Sequence, residues 1–418
     1  MADGSRLVPI AGIDRLLGGS IIHQTFSPLD LPSVEALRDA FVRLADHGPE
    51  TRVGFERADA DHWRYRGPAI ADRVGEIVRE VPEGEPGSAQ EWLLDHLAPD
   101  LPLQFAVKGD ELAAVFDHVL FDAPLAAALP AVLVSMAGGA PVPALFDGVT
   151  DRPVSTALWH TFGRHPRRVI ELVRDRQDAP VASGDVLRED DRVPLVDPGG
   201  LGRRLHRNCD AAELAGVREW GAAHGLGMSP TMLLLTSAAI HQAGIPVEPQ
   251  GDLVVDLRRY LPEGVTTGGN FITGVSVPVW SDGFEPRQLG ERLDALLRSG
   301  RPLASVAIRL LRAKRRPPAQ PTAADTVPRP VRARISVSNP GRLRLYEQMP
   351  WTAPPAERRA VPGTEGIAPN AIGFISSSDA GRFRLAVSFR GDVFDPATVN
   401  AALDLIFTDP VAVLDAMP

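Results

Sequence analysis

The chain has 418 residues, of which 44% are hydrophobic and 23% charged, and its formal net charge is −9. These proportions are typical of a soluble globular protein of about two domains, and the acidic balance argues against a nucleic-acid partner. The single cysteine, Cys209, excludes an intramolecular disulfide and a cysteine zinc cluster. Because the first residues also lack the layout of a signal peptide, we expect a cytoplasmic protein.

The first half of the chain predicts a mixed α/β unit. An amphipathic helix is expected over Val34–Leu44 with Ser33 as its N-cap, followed by strands at Arg52–Phe55 and His62–Arg66. A β-hairpin follows, with strands Leu103–Val107 and Glu111–Phe116. The uncharged stretch Ala123–Phe146 is long enough to span a bilayer. Its prolines and glycines instead predict one buried helix, capped by Asp122 and ending near Met136, and then an extended loop.

The second half repeats an order of helices and strands after a segment rich in Asp, Arg, Pro and Gly. That segment, about 147–205, contains one predicted helix, Pro166–Arg174. In the second half, helices are predicted at Asp210–His224, at Ser229–Ile240 with Ser229 as its cap, and at Pro396–Phe407; strands are predicted at Leu253–Leu257, Gly274–Val279, Ala333–Val337, Ile372–Ser376 and Phe383–Phe389. The basic, proline-rich stretch from Arg312 to Arg334 predicts a solvated, partly disordered loop. Its functional alternative is a contact for a phosphate-bearing cofactor arm or an acidic carrier domain.

A histidine four residues before an aspartate is the most informative local pattern. It occurs at His96/Asp100, His118/Asp122 and His206/Asp210, where chance predicts roughly one occurrence. His96 is expected at a helix C-terminus and Asp210 at a helix N-cap, so both of those pairs have structural explanations. His118 instead lies between a strand and a capped helix, a setting typical of functional loops. A buried histidine bonded to neighbouring backbone remains the structural alternative.

Four groups of residues, in this order, resemble the superfamily of thioester-dependent acyltransferases with an HxxxD motif. It includes condensation domains of nonribosomal peptide synthetases, polyketide-associated acyltransferases and chloramphenicol acetyltransferase. The matching groups are Leu37-x-x-Ala40-Phe41-x-x-Leu44 with Arg52-Val53-x-Phe55; Pro102-Leu103-Gln104-Phe105 with Phe116 to Ala123; Val255-Asp256-Leu257-Arg258 with Gly269-Asn270-Phe271; and Ile335 to Gly341. The resemblance covers nearly the whole chain.

The resemblance implies an α/β fold of two chloramphenicol-acetyltransferase-like lobes. Such a pseudo-dimer has mixed sheets flanked by helices and a channel between the lobes. We place the N-terminal lobe, which carries the HxxxD motif, at 1–175, the inter-lobe crossover at 176–205 and the C-terminal lobe at 206–418.

The resemblance also implies roles for individual residues. His118 is expected to be the general base, while Asp122 has a structural role and pairs with Arg258. Candidates for the oxyanion site or the channel are Ser338, Asn339, Asn270 and Asp117, although a role in strand packing is the alternative for Ser338 and Asn339. No metal site and no tightly bound cofactor are expected. Acyl-CoA or a phosphopantetheine-tethered acyl group is the expected donor.

Two positions depart from the condensation-domain pattern. Asp117 stands where those domains usually carry a second histidine, and Ala123 stands where they carry a glycine. The departures favour a stand-alone acyltransferase of bacterial natural-product or lipid biosynthesis that acylates a hydroxyl, or secondarily an amine. Two alternatives stay open: a catalytically degenerate module that recruits a carrier protein or partner enzyme, and cyclisation or dehydration in the same channel.

The expected partners follow from these assignments. They are a small-molecule acceptor and, as a further candidate, an acyl or peptidyl carrier protein. No nucleic acid and no integral membrane association are expected, and the protein is expected to be a monomer.

Overall fold

The fold is known from a computed structural model that describes residues 5–177, 192–195, 202–279, 284–315, 326–365 and 368–417. The strands are β1 (Arg6–Pro9), β2 (Ile21–Ser27), β3 (Phe55–Arg57), β4 (His62–Tyr65), β5 (Val78–Glu80), β6 (Leu103–Lys108), β7 (Glu111–Asp117), β8 (Arg192–Pro194), β9 (Arg203–Asp210), β10 (Gln250–Asp256), β11 (Ile272–Pro278), β12 (Thr326–Pro328), β13 (Arg334–Arg342), β14 (Arg359–Glu365), β15 (Ala371–Asp379) and β16 (Arg382–Phe389). The helices are α1 (Gly12–Arg15), α2 (Val34–His47), α3 (Val74–Ile77), α4 (Ala89–Asp95), α5 (Ala123–Ala137), α6 (Pro153–Leu158), α7 (Arg167–Gln177), α8 (Ala215–Ala223), α9 (Met228–Gln242), α10 (Pro286–Ser299), α11 (Arg301–Arg315), α12 (Arg344–Glu347), α13 (Pro396–Thr408) and α14 (Pro410–Asp415).

These elements form two α/β units, each with its own hydrophobic core. The first unit takes its described residues from Met1–Asp151, Gly264–Phe271 and Arg342–Thr364, and the second from Arg152–Glu263, Ile272–Gly341 and Glu365–Pro418. The predicted lobes are contiguous segments of sequence, so they do not include the two segments that the second half of the chain contributes to the first unit. The prediction placed residues 152–175 in the N-terminal lobe, whereas the structure places them in the second unit.

The first unit contains a five-stranded sheet in the order β14-β2-β7-β6-β5, and a smaller sheet in the order β1-β4-β3. Strands β6 and β7 form the predicted antiparallel hairpin, with Leu103 opposite Phe116. Gly109 in its turn has φ of +59°, a left-handed conformation that favours glycine. Strand β7 ends at Asp117, and the loop with His118 follows directly.

Strand β2 is one of three strands of this sheet, with β5 and β14, that the sequence pattern did not reveal. Its centre carries His23, Gln24 and Thr25, which interrupt the apolar pattern of a buried strand, yet all three are buried. The Thr25 hydroxyl donates to Gln90 Oε1 at 2.8 Å, and the Gln90 side chain also contacts the His23 ring. The helix α4 thus supplies polar partners for buried polar residues, as buried polar groups require.

Helix α5 has the buried, uniformly apolar character that its sequence predicts. Its residues from Leu125 to Val134 are buried, with Pro130 inside the helix. A helix that is apolar on all sides is stable when protein surrounds it on all sides. Among the described residues, no helix combines the length and apolar character needed to cross a membrane.

The second unit is built on a six-stranded mixed sheet in the order β11-β10-β13-β15-β16-β9. Strands β10 and β13 are parallel, while the pairs β10/β11, β15/β16 and β16/β9 are antiparallel. The five strands predicted in this half are confirmed as β10, β11, β13, β15 and β16. Helix α9 packs as the predicted core helix, since Pro230–Ile240 is buried throughout.

Two predictions in the second unit are wrong in detail. The segment expected to begin a helix at Asp210 is the end of strand β9, which the sequence analysis missed, and α8 starts only at Ala215. The Asp210 carboxylate accepts a hydrogen bond from the Ala212 backbone N at 2.9 Å, so it stabilises a turn rather than a helix cap. Helix α9 begins at Met228 with Gly227 at the N-cap position, so Ser229, the predicted cap, lies inside the first turn.

The basic segment also differs from its prediction as a loop. Its first residues continue α11 as far as Arg315, Thr326–Pro328 forms β12, and Arg334 begins β13. Residues 316–325 lie outside the described residues, as do 178–191 and 196–201 of the predicted inter-lobe crossover.

An ionic cluster around Arg73 leads to a prediction about acid stability. Arg73 pairs with Glu56, Glu76 and Asp100, and its hydrogen bond lowers the pKa of the Asp100 carboxyl below its usual value. A carboxyl with a lowered pKa stabilises the fold above its unfolded-state pKa, and this contribution is lost as pH falls through the folded-state pKa. Because the Asp100 side chain is 45% exposed, we expect Asp100→Asn to cost about 1 kcal/mol or less at pH 7.

Thermal melts at pH 7 and pH 3 test this expectation. The difference in Tm between wild type and Asp100→Asn should shrink at pH 3, where the wild-type carboxyl is becoming protonated. The exposed Asp95→Asn variant serves as the control for the change of charge. A difference in Tm that is equal at both pH values would contradict the assignment.

Candidate functional site

The loop between β7 and α5 holds His118 in a buried position. His118 is only 8% exposed. The backbone N of His118 donates to Ser20 O at 3.0 Å. Its backbone O accepts from Asn270 Nδ2 at 2.7 Å. Both backbone groups of His118 are therefore fixed, which restricts where its imidazole can lie.

Two buried polar atoms at this loop lack partners within the part of the chain that the structure describes. They are Nδ1 of His118 and Oδ1 of Asn270. A buried polar atom without a hydrogen bond costs about 1–3 kcal/mol, and a catalytic role is one of the reasons for which proteins retain such atoms. The structural alternative was that neighbouring backbone groups hold the His118 ring by hydrogen bonds. For the Nδ1 atom of the ring, no such bond is found among the described residues.

Asp122 occupies the N-cap position of α5, but its side chain does not cap the helix. Its Oδ2 instead accepts a hydrogen bond from the backbone N of Phe271 at 2.8 Å. Asp122 is fully buried, so this bond is protected from water. The sequence predicted that the Asp122 side chain caps α5. This prediction is wrong, because the Asp122 carboxylate instead accepts a hydrogen bond from Phe271, 149 residues further along the chain.

Asp117 shapes the same loop from its other end. One carboxylate oxygen forms an ion pair with Arg57, and the other accepts from the Val119 backbone N at 2.9 Å. The Arg57 guanidinium lies 4.5 Å from the centre of the buried Trp63 ring, which adds a cation–π contact. Asp117, the residue found in place of a histidine, thus has a structural use at the start of the loop.

The remaining predicted site residues belong to the second unit. Arg258 lies in the 3₁₀ helix Leu257–Tyr260, where its Nη1 is 3.3 Å from Asp256 Oδ1. Ser338 and Asn339 lie in β13, and the Asn339 side chain accepts from the Gly341 backbone N at 2.9 Å. The pairing of Arg258 with Asp122, the channel and the oxyanion roles stay predictions.

Sequence reasoning missed three residues that surround the His118 loop: Asp14, Arg52 and Arg57. Arg52 was present in a matching group of residues but without a role. Asp14 is the only acidic residue beside the apolar run of Ile10 to Ile13, and a lone acid in such a place could have been noticed.

The chemistry available at this loop is proton transfer. His118 supplies an imidazole, whereas the Asp117 and Asp122 carboxylates accept hydrogen bonds from protein groups. Within the described ranges, no three His, Cys, Asp or Glu side chains are grouped as ligands for a metal ion.

Comparisons with known proteins agree with this fold. No family model and no curated protein matches the sequence. Among solved structures, the chain is similar to TRI3 trichothecene 15-O-acetyltransferase from Fusarium sporotrichioides, with TM-score 0.59, 12% identity and coverage of 98% of this chain and 96% of that one. It is also similar to polyketide synthase associated protein 5 from Mycobacterium tuberculosis, with TM-score 0.57, 15% identity and coverage of 98% and 99%.

A nonribosomal peptide synthetase, FmoA3, is a third similar structure, with TM-score 0.56 and 20% identity. All of this chain is covered there, but it spans only 43% of the length of that synthetase. Identities this low establish the fold rather than the activity. The chain shares its fold with these three structures, and this is the fold that the resemblance of its motifs predicted.

Proposed function

We propose that this protein is a stand-alone acyltransferase of bacterial natural-product or lipid biosynthesis. It moves an acyl group from a thioester donor, acyl-CoA or an acyl-carrier protein, to a hydroxyl group, and less readily to an amine. His118 acts as the general base. The observation that carries the proposal is a buried histidine whose backbone is fixed on both sides while its Nδ1 has no partner in the described part of the chain.

The proposed reaction needs one group that both takes and returns a proton. An imidazole nitrogen of His118 accepts the proton of the acceptor hydroxyl as its oxygen attacks the thioester carbonyl. The tetrahedral intermediate collapses, the carbon–sulfur bond breaks, and the imidazolium returns the proton to the leaving thiolate. The products are an ester and a free thiol, and the histidine ends in its starting state.

The similar structures support the type of reaction. One is named as a 15-O-acetyltransferase, which joins an acetyl group to oxygen, and another as a polyketide synthase associated protein. A shared fold with such proteins raises the expectation of acyl transfer, but fold alone does not determine function. The feature of this chain that itself supports acyl transfer is therefore the His118 loop.

A degenerate module that recruits a carrier protein or partner enzyme is the second candidate. Asp117 favours it, because this residue replaces the usual histidine and is engaged in an ion pair with Arg57. The same ion pair orders the loop, so it is also compatible with catalysis. Only a test of activity separates the two candidates.

Release of free thiol from a panel of acyl-CoA and acyl-carrier-protein donors tests the proposed function. Each donor is assayed with a mixture of hydroxyl and amine acceptors and without acceptor. Release that depends on acceptor, with an ester found by mass spectrometry, would support the proposal, and the active donor would identify the donor class. No release above background with any donor, together with tight binding of a carrier protein, would favour the recruiting module.

Cys209 is a thiol of the protein itself, and we expect it to interfere little with that assay. It is buried in β9, and burial, with Glu213 adding to the effect, raises the pKa of its thiol to about 11. At pH 8 its thiolate is then about 100-fold scarcer than that of a thiol with a pKa near 9. Iodoacetamide should therefore alkylate the native protein at least about 100-fold more slowly than urea-unfolded protein. Equal rates, measured by mass spectrometry, would contradict this.

A further inference from the structure

Asp14, in the short helix α1, is a fully buried carboxylate that the proposed reaction does not use. Its Oδ1 accepts hydrogen bonds from the backbone N of Asn270 at 2.8 Å and from Asn270 Nδ2 at 3.1 Å. Its Oδ2 lies 3.3 Å from Arg52 Nη1. Burial raises the pKa of the Asp14 carboxyl above its usual value, and Arg52 and Asn270 partly offset this effect. A buried carboxylate is costly unless it is hydrogen-bonded or paired, and these three donors allow Asp14 to be buried.

Each of the two residues that contact Asp14 also contacts the loop with His118. Asn270 Nδ2 donates to the backbone O of His118 at 2.7 Å. Arg52 Nη1 donates to the backbone O of Leu120 at 3.4 Å. The loop is thus held at two carbonyl groups, and Asp14 is the common acceptor that orients both donors.

The backbone around Asp14 shows how tightly this arrangement is built. Arg52 has φ of 59°, a left-handed conformation that side chains other than glycine rarely adopt and that only strong surrounding contacts maintain. A Cβ atom at Gly268 would lie 2.8 Å from the Glu50 carbonyl oxygen, and one at Gly269 would lie 2.5 Å from Arg52 Nη2. A side chain at residue 268 would therefore collide with the backbone of Glu50, and one at residue 269 would displace the Arg52 guanidinium.

We propose that Asp14 is a positioning residue for His118, acting through Asn270 and Arg52. This rests on the proposed function, in which His118 takes the acceptor proton. Asp14 touches neither substrate nor the imidazole; it orients the two donors that fix the loop. A displacement of about 1 Å at a reacting group can lower the rate about 100-fold, so loss of a carboxylate that only positions the loop can lower the rate by the same factor.

The first test is Asp14→Asn, which removes the charge of this side chain and keeps its size. With the donor and acceptor that the wild type uses, Asp14→Asn should lower kcat about 100-fold and leave KM within about twofold. The matched control is Asp61→Asn, which removes an exposed carboxylate paired with Arg15, next to Asp14 in sequence. It should leave both constants unchanged. A folded Asp14→Asn protein with wild-type kcat would overturn the proposal.

Asn270→Ala tests the same route and guards against failure of Asp14→Asn to fold. It removes the side-chain link from Asp14 to the His118 carbonyl and leaves Asp14 its bonds to the backbone N of residue 270 and to Arg52. By itself it should lower kcat by a similar factor. The double variant should be no more than about threefold slower than the slower single variant, because both act through one loop. Losses in kcat that multiply would overturn the shared route.

A measurement without substrate separates this proposal from the proposed function. Long-range ¹H–¹⁵N spectra of protein labelled on histidine report the tautomer and environment of His118, whose signals are identified by their loss in His118→Ala. They should change in Asp14→Asn and not in Asp61→Asn. Unchanged His118 signals in folded Asp14→Asn would overturn positioning, whatever the activity. Changed signals in a protein without acyl transfer would support positioning and reject the proposed function.

Discussion

We expect His118→Ala to reduce acceptor-dependent acyl transfer by about 100- to 10,000-fold, the range that a general base contributes. The variant removes the imidazole but none of the backbone contacts that hold the loop, since Ser20 and Asn270 bind the backbone N and O of residue 118. It also removes a buried Nδ1 that has no partner among the described residues. The fold should therefore survive, and the Tm should change by no more than a few degrees. Steady-state thiol release and thermal melts on the same protein measure both effects.

His96→Ala is the matched control for this variant. His96 is an exposed histidine at the C-terminus of α4, and its ring stacks on Trp92 with 4.5 Å between ring centres. It also begins an HxxxD pattern, so it tests whether the pattern alone matters. We expect its rate to stay within about twofold of wild type, as for a surface substitution. A folded His118→Ala protein with the rate of the His96→Ala control would reject His118 as the base.

Asp122→Ala should loosen the segment 264–271 and lower activity as a consequence. The substitution leaves the buried Phe271 N–H without its 2.8 Å acceptor and removes a fully buried carboxylate. The expected cost is about 3 kcal/mol, which corresponds to about 100-fold faster amide hydrogen exchange at Phe271. Asp122→Asn keeps an acceptor oxygen at this position and should have a smaller effect on exchange.

Hydrogen exchange read by mass spectrometry on peptides that contain Phe271 measures this directly. Asp110→Ala, in the exposed turn of the β6/β7 hairpin, is the control for loss of a carboxylate in the same unit. It should leave exchange in 264–271 unchanged. Exchange at Phe271 that is unaffected by Asp122→Ala would show that the hydrogen bond does not hold the segment. Faster exchange with full activity would separate the structural role of Asp122 from catalysis.

Much of the fold could be predicted because local patterns determine local elements. The period of apolar residues predicted α2 over most of its length and the buried helix α5, and alternation around a turn predicted the β6/β7 hairpin. Strand β2 was missed because His23 and Thr25 break the apolar pattern. Their burial depends on Gln90, a partner that lies more than 60 residues away in sequence.

At the candidate site, too, local patterns predicted some features, while others depended on residues distant in sequence. Spacing and context led us to predict His118 among three HxxxD patterns, since only that histidine was expected between a strand and a helix. They could not assign a role to Asp14, because a lone acid beside an apolar run can be noticed in the sequence but does not indicate its partners. Its significance comes from Asn270, 256 residues further along the chain.

By itself, the sequence determined the two α/β halves, most of their helices and strands, and the loop that presents His118. Only the tertiary structure decided that residues 264–271 and 342–364 belong to the first unit and that Asp122 bonds to Phe271 rather than capping α5. The physical reason is that local propensity acts within one or two turns of chain, whereas a buried carboxylate must find donors wherever the fold brings them. Asp14 and Asp122 both meet that need with residues 270 and 271, across gaps of 256 and 149 residues.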